Sequence, residues 1–415
     1  MDIIIGAGIT GLSYAMFASP GTTKIFEKSS TPGGYCRTTE RNGFTWDYSG
    51  HFFHFKNEDI KNLVMCKMNP QNIRDVEKST MIQFKDRLID FPFQKNIHQL
   101  PKSDFIECLT GLFDTSDAND TTFLEMLYHK FGKGITDKFL RPYNEKLYAC
   151  DLNTLDKDAM GRFFPYADRL EIIHNFAEQK NNSYNGRFLY PASGGAYEYV
   201  KAILSYIDCS SITLGTEVVS IAPENKIVFL NNGEEIHYDN LISTMPLPEL
   251  LDKCGIDYDK NTFSWNQVLT FNLGFNKKGL NVKDHWIYFP DKNLAFYRVG
   301  FYNNIMGKEP LSLYVEIGFP KEAKINSNEW LGKVLDDLKT VNIIDETYRL
   351  VDFEAIIMNP AYVHISGRSI DEVKTLKEAL RKHDIYSIGR YGSWTYCSIE
   401  DNIIEAKELA SSLKK

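Results

Sequence analysis

The stretch Asp2-Ile3-Ile4-Ile5-Gly6-Ala7-Gly8-Ile9-Thr10-Gly11-Leu12-Ser13-Tyr14 decides the fold. Residues 2–6 read as a short buried strand, and 8–18 as a helix that opens straight from the glycines. Lys24-Ile25-Phe26-Glu27 is a second strand, which makes a βαβ opening and predicts a parallel sheet with helices on both faces. A glycine spacing of this kind occurs by chance in a chain with 27 glycines, so the flanking strand and helix carry the argument. In that setting Gly6 makes the tight turn, Gly8 lets backbone approach a pyrophosphate, and Gly11 lets helix and strand pack closely. The helix N-terminus offers free N–H groups and a positive dipole end to phosphates. Glu27 ends the second strand about 20 residues on, where a carboxylate accepts ribose hydroxyls.

Working outward, the chain of 415 residues is too long for one ordinary core and predicts two or three lobes. From about residue 100 to 175, apolar residues recur at helical spacing, as in Phe123, Met126, Leu127 and Phe131. From 265 to 318 the alternation of aromatic and β-branched residues predicts an antiparallel sheet. The expected fold class is α/β, a Rossmann-like dinucleotide-binding domain with an inserted helical domain and an antiparallel β-sheet domain. The segments are 1–78, 190–262 and 335–415 for the first, 96–178 for the second, and 79–95 with 263–334 for the third. A net charge of -8 argues against general nucleic-acid binding. No run of about 18 apolar residues predicts a membrane span, and the N-terminus enters a strand at once. Seven scattered cysteines without a CxxC pair fit reduced thiols in a cytoplasmic protein, and no metal site is predicted.

NAD and FAD share the glycine fingerprint. Pro32-Gly33-Gly34-Tyr35-Cys36-Arg37, just after Glu27, looks like the second FAD motif of the amine-oxidase-like flavoprotein superfamily. Gly389-Arg390, late in the chain and before a helix, resembles that group's C-terminal flavin motif. Thr10 and Val219 complete the expected cofactor-binding set.

Six ordered stretches narrow the resemblance. They are Asp47-Tyr48-Ser49-Gly50-His51, Phe91-Pro92-Phe93-Gln94-Lys95-Asn96, Arg141-Pro142-Tyr143-Asn144, Asn185 with Tyr190-Pro191-Ala192-Ser193-Gly194-Gly195, Tyr288-Phe289-Pro290 with Phe296-Tyr297-Arg298, and Gly389 through Tyr396. Together they resemble the UDP-galactopyranose mutases, the eukaryotic type more than the bacterial, over essentially the whole chain. The resemblance implies interconversion of the pyranose and furanose forms of a nucleotide-linked hexose. In that reaction N5 of reduced FAD is the nucleophile at the anomeric carbon. It implies a nucleotide-diphosphate sugar as ligand, and NADPH or another reductant for activation. It leaves a homo-oligomer open.

Residue by residue, the resemblance makes Arg162 and Arg298 the diphosphate-binding arginines, suited by their planar forks. Tyr288, Tyr362 and Tyr396 match phosphate-binding tyrosines. Asn181 and Asn185 match asparagines near sugar and flavin, and His51 matches the histidine on the loop against the flavin. Phe93, Gln94, Phe139 and Asn144 match positions around the base, and Tyr148 stands where the family has tryptophan beside the sugar. Arg141 reads as an internal ion-pair residue. Phe91, in place of a tyrosine, and the lack of a long insertion after Arg298 also depart from the family. An FAD-dependent oxidoreductase of the amine-oxidase superfamily, and a non-enzymatic flavin-containing subunit, are the competing readings.

Overall fold

The computed structural model describes residues 1–114, 119–177 and 186–414. Its first layer is a five-stranded sheet in the order Ile385–Ser387, Asn240–Ser243, Asp2–Ile5, Thr23–Glu27, Ile212–Leu214, with every pairing parallel. Asp2–Ile5 lies at the centre, and its alternation decides which core each side chain enters. Ile3 and Ile5 join Phe26, Leu241 and Ile385 on one face. Ile4 joins Leu12, Ile25, Ile242 and Ala406 on the other. Helix Ile9–Phe17 packs there against the last helix, Ile399–Leu413.

The helical lobe contains Lys102–Gly111, Phe123–Ile135, Arg141–Tyr148 and Arg169–His174. Thr122 starts the second of these with a capping box to Glu125, satisfying N–H groups that a helix start leaves unpaired. A π turn, Thr136–Leu140, leads into Arg141–Tyr148. Pro142 falls in the first turn of that helix, where its missing N–H costs nothing.

The third element is an eight-stranded sheet. Seven strands run in the order Leu350–Met358, Ser264–Phe275, Ser312–Pro320, Arg298–Phe301, Trp286–Tyr288, Thr80–Phe84, Arg87–Asp90. The short Val363–His364 pairs with the start of Ser264–Phe275. All pairings are antiparallel except that between Trp286–Tyr288 and Thr80–Phe84. Strands from segments 79–95 and 263–334 contribute to this sheet. One boundary is corrected: Leu350–Met358, expected in the FAD-binding segment 335–415, pairs along Ser264–Phe275 instead. It covers the open edge of that long strand, whose other side is taken by Ser312–Pro320. Among the described residues, no helix is long and apolar enough to cross a membrane, and no group of three potential metal ligands is present.

Candidate functional site

At the end of the central strand the chain turns at Gly6, whose φ of 97° is a left-handed conformation that glycine adopts freely. A Cβ placed on Gly11 would lie 2.1 Å from the Gly6 carbonyl oxygen, so helix and strand touch here through backbone. The second glycine pair folds onto the first turn. Gly33 N–H donates to the Ala7 carbonyl at 2.7 Å, and Gly34 packs against Gly8 backbone to backbone. Glu27 faces the same turn, with one oxygen accepting Ala7 N–H at 2.8 Å and the other Ser29 N–H at 2.8 Å. A carboxylate has about four lone-pair positions, so capacity for ribose hydroxyls remains. The Arg37 guanidinium stands 3.9 Å from Glu27.

The late motif reaches this place through the last helix. Asn402 Oδ1 accepts from Thr10 Oγ1 and from Arg390 N–H, both at 2.9 Å, and Glu405 accepts Gly389 N–H at 2.8 Å. Gly389 has a φ of 83° and lies against Thr10. The leading N–H groups of Gly389 and Arg390 are therefore spent inside the protein. Cys397, Ile399 and Asn402, at the start of the last helix, face the cleft instead.

These elements open on one cleft of about 530 Å3. It brings together Gly6, Gly8, Thr10, Glu27, Gly33, Gly34 and Arg37 with His51, Arg298, Tyr362, Arg390 and Tyr396. Nε of Arg37, Nε of Arg390 and Nδ1 of His51 are buried in its wall without a hydrogen-bond partner among the described residues. A ligand in the cleft would offer these nitrogens acceptors. The backbone cradle, the free acceptors of Glu27, the orphaned nitrogens and the cleft volume all suit a flavin dinucleotide.

At the far end, Arg298 makes a forked pair with Glu316, Nε and Nη2 each at 2.7 Å from a carboxylate oxygen. Glu316 is fully buried and also accepts from the hydroxyl of Ser49, which sits at a φ of 84°. Burial opposes ionisation of Glu316, but Arg298 and these hydrogen bonds outweigh it and hold the carboxyl below its usual range. Arg390 carries its guanidinium 4.7 Å above the Tyr396 ring and 5.3 Å above Tyr362, and the two phenols stack at 5.9 Å. His51 is pushed down to about 4, first by burial and then by Arg390 and Arg298, with Glu316 opposing. Its imidazole is neutral at neutral pH.

Other expected residues lie off this cleft. Phe93 and Phe139 stack at 5.0 Å inside the helical core, and Tyr143 links them to Tyr288. Tyr288 lies directly across from Arg298 in the sheet. Gln94 and Asn144 donate to the carbonyls of Pro165 and Leu140, while among the described residues their own side-chain oxygens are buried without partners. Tyr148 is buried against Tyr362. Arg162 donates to both oxygens of Asp401 at 2.6 and 2.7 Å and reaches Tyr396 through the ring of Phe163. Arg141 pairs with Glu145 at 2.7 Å. Asn181 and Asn185 lie outside the described residues. Val219 lies in the β-bulge between Val218 and Ser220, with its side chain 44% exposed, and its neighbour Val218 lines the cleft. Glu316 was missed, although an acid inside the apolar run Leu313-Tyr314-Val315-Glu316-Ile317 signals a buried charge that needs a partner.

The geometry defines a protein with a Rossmann-like, dinucleotide-binding layer facing a sheet that supplies charged and phenolic groups. Comparison with known proteins agrees at the level of fold. Residues 4–65 match the family of NAD(P)-binding Rossmann-like domains. The whole chain shares its fold with the crystal structure of reduced UDP-galactopyranose mutase, with a TM-score of 0.92, 24% identity, and coverage of 99% of this chain and 93% of that one. It also resembles a putative protoporphyrinogen oxidase from Exiguobacterium sp. 255-15, with a TM-score of 0.77, 15% identity, and coverage of 99% and 98%. In sequence it is 22% identical to coproporphyrinogen III oxidase of Staphylococcus aureus over 319 residues, 67% of this chain and 68% of that protein.

Proposed function

We propose that the chain is a flavin-dependent nucleotide-sugar mutase of the UDP-galactopyranose mutase type, converting a nucleotide-linked hexose between pyranose and furanose forms. One observation carries this reading. A single cleft runs from the dinucleotide turn at Gly6 and Gly8 to a cluster of Arg298, Arg390, Tyr362 and Tyr396. A pyrophosphate cradle needs only one end of that cleft, and the cation–phenol cluster at the other end suits a second diphosphate.

Gly8, Gly33, Gly34, Glu27 and Arg37 would hold FAD. Reduced FAD, when bound, supplies a nucleophilic nitrogen, and NADPH or another reductant would set that state. The chain's own residues then have definite tasks. Arg390 offers a positive charge braced on two rings, and the Tyr362 and Tyr396 hydroxyls add neutral donors. Arg298, already balanced by Glu316, offers directional N–H groups without adding net charge. A diphosphate held this way departs and returns without being locked in place. Neutral His51 exchanges hydrogen bonds without placing a further cation beside the flavin.

The test is a panel of UDP-, GDP- and dTDP-hexoses with pre-reduced protein, products resolved by chromatography and NMR. The expected product is an isomer of equal mass, formed only after reduction. Substrate-dependent flavin reduction with an oxidised product would replace this reading by a flavin oxidoreductase, the kind of activity named for two of the similar proteins.

A further inference from the structure

Tyr288 and Arg298 sit opposite each other on two short antiparallel strands, and residues 289–297 must turn the chain between them. That turn is gripped from outside by one helix, Arg141–Tyr148. The Lys146 ammonium donates to the carbonyls of Phe289 at 3.0 Å, Asp291 at 2.7 Å and Phe296 at 2.5 Å. These acceptors lie on both limbs of the turn, and an ammonium has three N–H donors, so each is used. The helix reinforces the grip on either side. Glu145 pairs with Lys292 of the turn at 2.6 Å, and Tyr143 packs edge-on to the rings of Tyr288 and Tyr297. The lysine's backbone is fixed as well: a Cβ on Gly318 would lie 2.2 Å from the Lys146 carbonyl, so the helix rests directly on strand Ser312–Pro320.

Lysine ordinarily keeps its head in water. Here burial pushes the ammonium down to about 7, with Asp291 of the turn and Asp337 of helix Ser327–Thr340 supporting the charge and Lys333 of that helix opposing it. Among the described residues Lys146 makes no close ion pair; carbonyl dipoles are its partners.

We propose that Lys146 is a positioning residue, which holds Tyr288 and Arg298 in mutual register by gathering the turn that joins them. The proposal rests on the reading of Arg298, the cleft member of that pair, as a ligand group. It gives the helical lobe a task in the site that none of its described residues performs by lining the cleft.

The test uses the flavin-loaded full chain with Lys146→Met, which keeps length and removes the donors, Lys146→Gln, which keeps two, and Lys146→Arg. Three quantities are measured: hydrogen-exchange protection of the amides in 289–297, flavin content, and affinity for UDP by calorimetry. In Lys146→Met, protection of the turn is expected to fall by about tenfold. UDP affinity is expected to fall by about tenfold, since small displacements of positioned groups are costly. Flavin content is expected to stay at the wild-type level, Lys146→Gln to fall between, and Lys146→Arg to restore most of both losses. Wild-type protection of the turn in Lys146→Met overturns the proposal. So does lost protection with unchanged UDP affinity, or loss of protection throughout the chain together with flavin, which marks an ordinary core residue. Absence of UDP binding in the wild-type protein defeats the mutase reading alone, because exchange in the turn still decides whether Lys146 fixes it.

Discussion

At the glycine end of the cleft the wall is backbone; at the arginine end it is side chain. Gly6, Gly8, Gly33 and Gly34 come from two neighbouring segments and meet backbone to backbone, three of them (Gly6, Gly33 and Gly34) at positive φ that glycine enters easily. Arg298, Glu316, Ser49, Arg390, Tyr362 and Tyr396 come from distant parts of the chain and meet by pairing and stacking. The first end is preformed by backbone contacts. In the second, Arg298 is balanced by Glu316 while Arg390 rests its charge on two phenol rings, and a ligand must enter that arrangement. The two ends should therefore fail differently when broken.

The largest effect is expected at Gly11. In Gly11→Ala the new methyl meets a backbone oxygen at 2.1 Å, with no flexible side chain to yield. A loss of at least about 4 kcal/mol in unfolding free energy is expected, of the size that severe overpacking brings. Gly8→Ala is the control, since its methyl finds only Gly34 Cα at 3.9 Å. That variant should melt like the wild type yet lose bound flavin, read from its visible absorbance, because the methyl stands where the pyrophosphate approaches. Retained flavin in Gly8→Ala would break the claim that this end is a cradle.

At the other end, Arg298→Ala leaves Glu316 buried without its cation. A destabilisation of about 3 kcal/mol is expected, together with loss of isomerisation. Adding Glu316→Gln should return most of the stability, measured by urea unfolding, and none of the activity. A double variant no more stable than the single one would show that the pair is not what balances this end.

His51 lies between the two ends and tests their shared electrostatics. Its folded pKa, about 4, is below the ordinary 6.5, so the unfolded chain takes up the proton first on acidification. Stability from this group is present above about 6.5 and lost as pH falls through about 4. Between neutral pH and about pH 5, His51→Gln should lose about 2 kcal/mol less than the wild type. Parallel pH curves for the two proteins would show that burial and the Arg390 charge do not hold His51 below its ordinary range.

The same contrast explains what the sequence revealed. The strand, turn, helix and second strand of residues 2–27 are local and periodic, so their spacing alone predicts Asp2–Ile5, Ile9–Phe17 and Thr23–Glu27 closely. The pairing of Arg298 with Glu316 spans adjacent strands of a sheet whose register no short spacing encodes. Lys146 reads as an ordinary helix-surface charge until the turn it grips is seen beside it. Leu350–Met358 was assigned to the wrong lobe for the same reason, since a strand's pattern shows its faces and not its neighbours. Resemblance to a family brought the cleft's arginines and tyrosines into view; it did not say that one arginine arrives already neutralised.

The smallest effect on stability, and the finest test of the contrast, is expected from Tyr396→Phe and Tyr362→Phe. Among the described residues neither hydroxyl has a hydrogen-bond partner within the protein, whereas both rings are held by Arg390 and by each other. Phenylalanine keeps ring, stack and cation contact, so unfolding free energy should move by less than about 0.5 kcal/mol. If the hydroxyls serve a diphosphate, UDP binding should weaken by about tenfold in each variant, the worth of one hydrogen bond to a charged group. The losses should then exceed simple addition or fall short of it in the double variant, because the two phenols share one stack and one guanidinium. Binding unchanged in both single variants would make the stack a brace for Arg390 alone, and the arginine end would hold its ligand by charge rather than by phenolic donors.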